Sequence, residues 1–231
     1  MPSPAEPTAS DEVDKTVKLA KKELGDTDSW PPPVRLNGLG LCVMNAVYST
    51  GNRSSAVVRV LDRYRDLRRE RGCDPESDTP DDVIAEIERQ RGPEGFADTL
   101  NNRWRAWQSR QAPYKTEVIY GAARLLQRSG VQTSDRLSLV LEAPGERDRI
   151  KAEWLALPGQ RSGLTWRYFL MNAGVPGVKA DRMIIRWISR AVERRVTARD
   201  AESILLGAAG RMGVDAGLLD HAVWAYQRRC G

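Results

Sequence analysis

The chain has 231 residues, of which 41% are apolar and 29% are charged, and this composition is typical of an ordinary globular protein rather than a wholly disordered one. Its 36 basic and 31 acidic residues give a formal net charge of +5. This excess permits a phosphate-binding surface but does not establish one.

Residues 1–11 are rich in Pro, Ser and Glu, and we predict that they form a disordered tail rather than a secretion signal. No apolar run approaches the roughly 20 residues of a membrane span, so we expect no membrane contact. The three cysteines, Cys42, Cys73 and Cys230, are too far apart for a Cys-x-x-Cys metal site and argue against a disulfide scaffold. We therefore expect a cytoplasmic protein, associated with the nucleoid in a bacterial cell.

From about residue 11, apolar residues recur at intervals of three and four, and the segments begin with Ser, Thr, Asp or Pro and stop at Gly. Thr79 and Pro80, for example, begin a segment that Gly92 follows. The predicted helices span about 12–24, 38–49, 54–71, 79–91, 114–128, 134–142, 147–156, 164–173, 181–194, 198–212 and 216–228. No run alternates with the period of two that a strand requires, so the predicted fold class is all-α.

The most informative segment is Leu-Pro-Gly at 157–159, which lies between one predicted helix and another that begins at Leu164. The segment predicts a tight hairpin between two helices, covering about residues 154–165. Backbone N–H groups in such a turn, and at the start of the helix after it, can bind a phosphate.

The hairpin, the apolar helix after it and Asp181 at the start of the next helix resemble, in that order, the helix-hairpin-helix (HhH-GPD) DNA glycosylase superfamily. Its endonuclease III-like members carry a Leu-Pro-Gly-x-Gly hairpin followed, one helix later, by an Asp. Residues 114–119 are similar to the family's Lys-Ala-Glu-Asn-Ile helix opening. Residues 41–48 and 49–54 are similar to its apolar helix and its DNA-inserting loop, so the likeness spans roughly residues 36–188.

The resemblance implies a two-lobed helical domain over residues 12–231, with double-stranded DNA as the partner. It also implies DNA contacts at Gly159, Gln160, Arg161, Ser162 and Gly163 of the hairpin. Asn52 and Arg53 are candidates for insertion into the duplex, and their alternative is a solvated turn before Ser54 as a helix N-cap. Asn45 is a candidate for the base pocket, and its alternative is a satisfied polar group in the core.

Asp181 is the candidate catalytic residue. Breaking an N-glycosidic bond develops positive charge on the deoxyribose, so a fixed carboxylate near the sugar stabilises the transition state and can orient or deprotonate water. A helix N-terminus favours negative charge at that position. The alternative is that Asp181 only caps its helix, which is a common use of Asp.

Two features depart from the family pattern. Arg161 stands where the second glycine of the hairpin is usual. The amine nucleophile of bifunctional members, a Lys eighteen residues before the Asp, is replaced by Gly163. Without that amine no Schiff base forms at this position, so the resemblance implies a monofunctional enzyme that uses water. The family's cluster-binding cysteines are also absent, and we expect no iron–sulfur cluster and no other cofactor.

The leading hypothesis is therefore hydrolytic removal of a damaged or modified base from duplex DNA. A non-catalytic helix-hairpin-helix DNA-binding protein is the alternative, and a protein-interaction role is a third.

The tryptophans mostly fall at core-like helical positions, and we do not predict a stacking platform. His221 is predicted to be packed or at the surface, and the arginine-rich stretch 59–71 to be a solvated, salt-bridged face. The excised base and the oligomeric state are not readable from the sequence.

Overall fold

A computed structural model of the protein describes residues 9–32, 36–175 and 181–230. Its helices are α1 (Ala9–Leu24), α2 (Leu39–Tyr48), α3 (Ser54–Arg69), α4 (Pro80–Arg89), α5 (Pro93–Thr99), α6 (Lys115–Arg128), α7 (Ser134–Glu142), α8 (Pro144–Ala156), α9 (Leu164–Asn172), α10 (Arg182–Val192), α11 (Ala198–Met212) and α12 (Ala216–Cys230). Short 3₁₀ turns lie at Thr27–Ser29 and Pro75–Ser77. Within these ranges there is no strand, only an isolated antiparallel bridge between Arg105 and Tyr114. The all-α fold class is confirmed.

Local capping explains where several helices begin. Thr79 and Thr197 each form a capping box with the aspartate three residues later, Asp82 and Asp200. The predicted helices are all present, and α5 is an addition that the sequence pattern did not predict. Because α1 begins at Ala9, residues 9–11 of the predicted tail are helical, and residues 1–8 lie outside the described residues.

The chain divides into two compact units. The first unit contains α1, α10, α11 and α12, so it is built from both ends of the described chain. Its core includes Leu24, Trp187, Ile188 and Leu205. Two glutamates of α1 anchor α10 and the turn after it. Glu23 accepts a hydrogen bond from Trp187 Nε1 at 2.9 Å, and Glu12 accepts from Arg194.

The second unit is continuous and contains α2 to α9. Nine of the ten residues of α2 are buried, which is the pattern of a helix packed on all sides. It packs against α3, α4, α6 and α9. Gly40 allows the close approach to α4, because a Cβ there would lie 2.7 Å from Val83 Cγ2. The central helix α2 therefore fixes the positions of the elements that carry the candidate site.

A buried ionic cluster joins α3 to the segment before α4. Arg68 donates to both carboxylate oxygens of Asp78 at 2.8 Å, and Tyr64 Oη donates to the same carboxylate. Glu86 is fully buried beside Arg68, Arg71 and Arg89. The prediction of a solvated, salt-bridged face over 59–71 is therefore wrong for Arg68, although exposed pairs such as Arg69–Asp66 follow it.

None of the described helices is both long and apolar enough to cross a membrane.

Candidate nucleic-acid interface

The predicted hairpin is present between α8 and α9. Gly159 and Gly163 both adopt left-handed backbone angles, with φ of 75° and 71°. Gln160 N donates to Leu157 O, and Gly163 N donates to Gln160 O, each at 3.0 Å. Arg161, which stands where the second glycine of the hairpin is usual in the resembling family, does not have a positive φ. The turn therefore needs no glycine at 161.

A buried chain of hydrogen bonds holds the hairpin. Trp154 Nε1 donates to Thr165 Oγ1 at 3.1 Å, and Thr165 Oγ1 donates to the side-chain oxygen of Gln160. The amide nitrogen of Gln160 donates to Pro158 O at 2.9 Å, and Gln160 is only 4% exposed. Gln160 therefore supports the turn from inside. Its N–H and its side chain are both engaged within the hairpin, and a DNA contact at Gln160 stays a prediction.

The outer side of the hairpin has donors available for an anion. Over the ranges that the structure describes, the backbone N–H groups of Gly159, Arg161 and Ser162 have no acceptor. Arg161 and Ser162 are exposed. The guanidinium of Arg161 forms no ion pair within the same ranges. Three N–H groups and one unpaired cation on a short turn are suited to a phosphate.

The loop between α2 and α3 turns at Gly51, whose φ is 72°. Asn52 Nδ2 donates to Tyr48 O at 2.9 Å and to Thr50 O at 3.1 Å, so the side chain closes the loop. Arg53 is exposed and is itself the N-cap residue of α3, so the alternative that placed the cap at Ser54 is wrong. Insertion of Asn52 or Arg53 into a duplex stays a prediction.

A third segment, residues 103–114, lies next to this loop. Its ends are joined by the Ala106 N to Pro113 O and Lys115 N to Trp104 O hydrogen bonds, at 3.0 and 2.8 Å. Trp107, near its tip, is 48% exposed. The expectation that the tryptophans pack in the core holds for Trp154, Trp166 and Trp187, and it is wrong for Trp107.

The loop and the segment form the walls of an open groove of about 660 Å³, which we call the basic groove. It is lined by Thr50, Gly51, Asn52 and residues 103–110. Arg103 is neutralised by Asp98 and Glu94. Arg105 instead stacks 4.4 Å from the centre of the Tyr114 ring, and neither it nor Arg110 forms an ion pair in the described part of the chain. Arg105 also donates hydrogen bonds to Ala112 O and to Tyr114 Oη. The groove therefore combines two arginines that no described carboxylate neutralises with the exposed ring of Trp107, a combination that suits nucleic acid.

The hairpin packs against the same segment. A Cβ on Gly159 would lie 3.3 Å from Ala106 Cβ and 3.5 Å from the Trp107 ring. The hairpin (157–163), the first part of the segment (103–110) and the loop (50–53) therefore belong to one surface of the second unit, which we call the basic face. No acidic residue occurs in any of the three stretches. Arg53, Arg105, Arg110 and Arg161 therefore supply positive charge that no carboxylate of these stretches offsets.

Asn45 lies in a partly buried polar cluster. Its Nδ2 donates to Asn172 Oδ1 at 3.2 Å and to Tyr168 Oη at 3.3 Å, and its Oδ1 accepts from Ser49 Oγ at 3.2 Å. This arrangement agrees with the alternative of a satisfied polar group. A contact between Asn45 and a base stays a prediction.

Asp181 belongs to the first unit, where it is the N-cap residue of α10. One carboxylate oxygen accepts hydrogen bonds from Met183 N at 2.8 Å and Ile184 N at 3.2 Å. The other carboxylate oxygen has no partner among the described residues, and the side chain is partly exposed. Asp181 thus caps its helix through one carboxylate oxygen, and a catalytic role for the residue stays a prediction. Residues 176–180, which precede it, lie outside the described residues.

Gly163 is the residue at which the resemblance to the glycosylases predicts a missing amine nucleophile. It is the N-cap residue of α9 with φ of 71°, a conformation that a lysine adopts only with strain.

The described side chains include no group of three or more metal-ligating residues. The ring of His221 stacks on Trp224 with the ring centres 5.3 Å apart, and burial lowers the pKa of His221. This partly buried position agrees with the expectation of a histidine that is packed or at the surface.

Residues 14–228 match the model of a family described as "Domain of unknown function (DUF8548)". No curated protein and no solved structure matches the chain. Because the family match covers nearly the whole chain, the protein belongs to the DUF8548 family.

Proposed function

We propose that the protein is a monofunctional DNA glycosylase, which hydrolyses the N-glycosidic bond of a damaged or modified base extruded from double-stranded DNA. Water adds to C1′ of the deoxyribose, the base leaves, and an abasic site remains. The basic face binds the duplex, and Asp181 stabilises the sugar cation. Catalysis on a base requires its extrusion, because the target atom is not reachable inside a stacked duplex.

The basic face is the observation that carries the proposal. The hairpin offers three N–H groups and Arg161 to a phosphate, and the neighbouring groove offers Arg105, Arg110 and the Trp107 ring. Phosphate contacts position a protein on DNA, and an aromatic ring can stack on an unpaired base. These two kinds of contact lie on one surface, as binding to a duplex with an extruded base requires.

The carboxylate of Asp181 supports the catalytic part of the proposal. Its bonds to Met183 N and Ile184 N fix the carboxylate in one orientation, and the positive end of α10 favours its negative charge. A preorganised anion stabilises a developing cation without reorganising during the reaction. Because Gly163 provides no amine, water is the nucleophile, and the product strand stays intact until alkali is added.

A second candidate function is DNA binding without catalysis. The N-cap bonds of Asp181 favour it, because capping alone is sufficient reason for an Asp at this position. Both candidate functions use the basic face to bind DNA in the same way. Only the detection of base release separates them.

The deciding experiment uses a panel of fluorescent duplexes, each with a single modified base of the alkylated, oxidised, deaminated or bulky modified class. Each duplex is incubated with the protein and then heated in alkali, which cleaves at abasic sites. We expect cleavage of at least one duplex after alkali, none before it, and no covalent adduct with borohydride. An unmodified duplex is the control.

Three results contradict the proposal in different ways. Duplex binding with no base release from any substrate favours the non-catalytic alternative. A borohydride-trapped adduct shows that a lysine is the nucleophile, and the enzyme is then bifunctional. Absence of any salt-dependent duplex binding removes both candidate functions.

A further inference from the structure

Lys115 is a buried titratable residue that the proposed function does not use. It is the first residue of α6 and is only 3% exposed. Its ammonium donates hydrogen bonds to three backbone carbonyls, Val47 O at 3.0 Å, Tyr48 O at 3.1 Å and Thr50 O at 2.6 Å. A lysine has three N–H donors, so all of them are engaged.

These acceptors lie at the C-terminus of α2, where the last carbonyls of a helix have no partner within the helix. A cation is favourable there because it faces the negative end of the helix dipole. The three hydrogen bonds of Lys115 thus connect the end of α2 to the first residues of the loop after it. Asn52 Nδ2 donates to two of the same carbonyls, Tyr48 O and Thr50 O. The loop residue that lines the groove is thereby linked to Lys115.

The backbone of Lys115 holds the opposite wall. Lys115 N donates to Trp104 O at 2.8 Å, at the start of the 103–110 segment. The ammonium also lies 5.9 Å from the centre of the Trp104 ring, and that ring packs edge-on against Tyr48 at 5.9 Å. One residue therefore contacts both walls of the basic groove, the loop through its side chain and the segment through its backbone.

We propose that Lys115 is a positioning residue that sets the distance between the two walls of the basic groove, and so prepares the groove for duplex DNA. Lys115 does not touch the DNA. The consequence for DNA affinity rests on the proposed function, whereas the consequence for the order of the loop does not.

The protonation of Lys115 gives the proposal a measurable signature. Burial lowers the pKa of Lys115 to about 8. The charged or titratable groups on the elements around Lys115 include Tyr48 on α2, Arg63 on α3, Glu94 and Asp98 on α5, Glu117 on α6, Arg53 on the loop, and Arg103 and Arg105 on the segment. Burial is the one cause of the lowered pKa of Lys115. Above the pKa the neutral amine has two donors for three carbonyls and no charge for the helix end. Duplex affinity should therefore fall as the pH rises from 7 to 9.

The lowered pKa of Lys115 also affects stability. Its effect on stability with rising pH is opposite to the expected effect on duplex affinity. The pKa of Lys115 in the folded protein lies below its ordinary value of 10.5, so the unfolded chain binds more protons between pH 8 and 10.5. The contribution of Lys115 to the free energy of unfolding therefore rises with pH in that window. Deprotonation of Lys115 therefore does not unfold the protein, and a loss of DNA affinity between pH 7 and 9 has to come from the groove itself.

The test compares wild type, Lys115→Met and Lys115→Arg, with Lys151→Met on the exposed surface of α8 as the matched control. Duplex affinity is measured by fluorescence anisotropy at pH 7, 8 and 9, and amide hydrogen exchange is measured over residues 48–53 and 157–163. We expect Lys115→Met to weaken binding at pH 7 by about tenfold or more, to remove the pH dependence, and to accelerate exchange at 48–53 but not at 157–163. Lys115→Arg should restore most of the affinity and remain independent of pH. Lys151→Met should behave as wild type.

Unchanged exchange at 48–53 in Lys115→Met overturns the proposal, whether or not the protein binds DNA. A wild-type protein that binds no duplex contradicts the proposed function instead, and the exchange measurement still tests Lys115. If Lys115→Met does not fold, the wild-type pH profile decides, because an affinity that is constant from pH 7 to 9 overturns the positioning role.

Discussion

Asp181 has two roles in our interpretation, and one substitution separates them. Asn is as good an N-cap residue as Asp, so Asp181→Asn should change the free energy of unfolding by less than about 0.5 kcal/mol. It removes the negative charge, so base excision should fall by roughly 100-fold or more, as with other losses of electrostatic stabilisation. Single-turnover assays on the best substrate measure the rate, and duplex binding should persist.

Asp215→Asn is the matched control for this prediction. Asp215 also lies at a helix start in the first unit, where its carboxylate accepts from Leu218 N at 3.0 Å. Its substitution removes the same charge from an equivalent cap and should leave excision unchanged. Equal excision by Asp181→Asn and wild type would show that Asp181 is only a cap.

At the level of single residues, the sequence predicted the local backbone role of a residue better than the solvent exposure of its side chain. The N-cap position of Asp181 and the turn at Gly159 were predictable, because Asp favours helix starts and Gly favours turns that need a positive φ. Trp107 was not, because it looks like any other tryptophan in a helical protein. Its exposure follows from the 103–114 segment, which leaves helical geometry and is closed by the Ala106–Pro113 bond. The helix-breaking Pro113 was the only local signal for it.

The hairpin is the element whose contribution to binding is most directly testable. Arg161→Glu reverses an exposed charge that has no ion pair among the described residues, so it should leave stability unchanged. We expect weaker binding to every duplex by a similar factor, and a salt dependence reduced by about one phosphate contact, because phosphate contacts carry no sequence information. Anisotropy titrations at several salt concentrations measure both.

Arg136→Glu, an exposed arginine on α7, is the control for charge alone. If it weakens binding as much as Arg161→Glu, the hairpin has no special part in DNA binding. Gly159→Val is a less specific probe than Arg161→Glu. It forces a β-branched residue to φ of 75° and brings a Cβ to within 3.3 Å of Ala106, so it should lower both stability and affinity.

The α3–α4 connection depends on its buried ionic cluster. Asp78→Asn keeps the shape of the side chain but leaves the buried Arg68 without its bidentate partner. We expect a loss of about 3 kcal/mol in the free energy of unfolding, as is usual when one partner of a buried ion pair is removed. Urea denaturation measures it. Asp66→Asn, which removes the exposed partner of Arg69, should lower the free energy of unfolding by less than about 1 kcal/mol. A similar loss in both variants would show that the buried pair contributes no more than the exposed one.

At the level of elements, helices with caps and a clear apolar period were predictable to within about three residues. The helix α5 was not, since its seven residues provide under two turns of periodicity, and Gly92 was interpreted only as the end of α4. Gly92 instead precedes Pro93, the first residue of α5. Proline at that position favours a helix start, so the same glycine separates two helices.

For the whole molecule, the sequence predicts a protein without an iron–sulfur cluster. Three cysteines cannot provide the four thiolates that such a centre usually needs. Cys42 is in addition buried, and burial raises the pKa of its thiol to about 12. We expect purified protein to be colourless and free of stoichiometric iron, as measured by visible absorbance and metal analysis after anaerobic purification. An absorbance near 400 nm that disappears on iron removal would contradict this prediction.

The Leu-Pro-Gly segment predicted the turn between α8 and α9, and Asp181 was predicted at the start of α10, where the structure has it. The grouping of the hairpin with the loop on one surface was not readable, because it depends on Trp107 and Ala106, which no motif includes. Lys115 was recognised only as part of a helix opening. Its burial against three carbonyls arises from packing between α2 and α6, which sequence patterns do not encode.

The first unit, built from both ends of the described chain, has a consequence for biosynthesis. The partners of α1 are α10, α11 and α12, and α10 begins only about 160 residues after α1 ends. At ribosomal rates of ~5–20 residues per second, α1 waits roughly 10–30 s for a partner. The second unit is synthesised meanwhile and can fold first. During that interval the apolar face of α1 lacks the helices that cover it in the folded protein, and exposed apolar surface of this kind promotes aggregation of nascent chains.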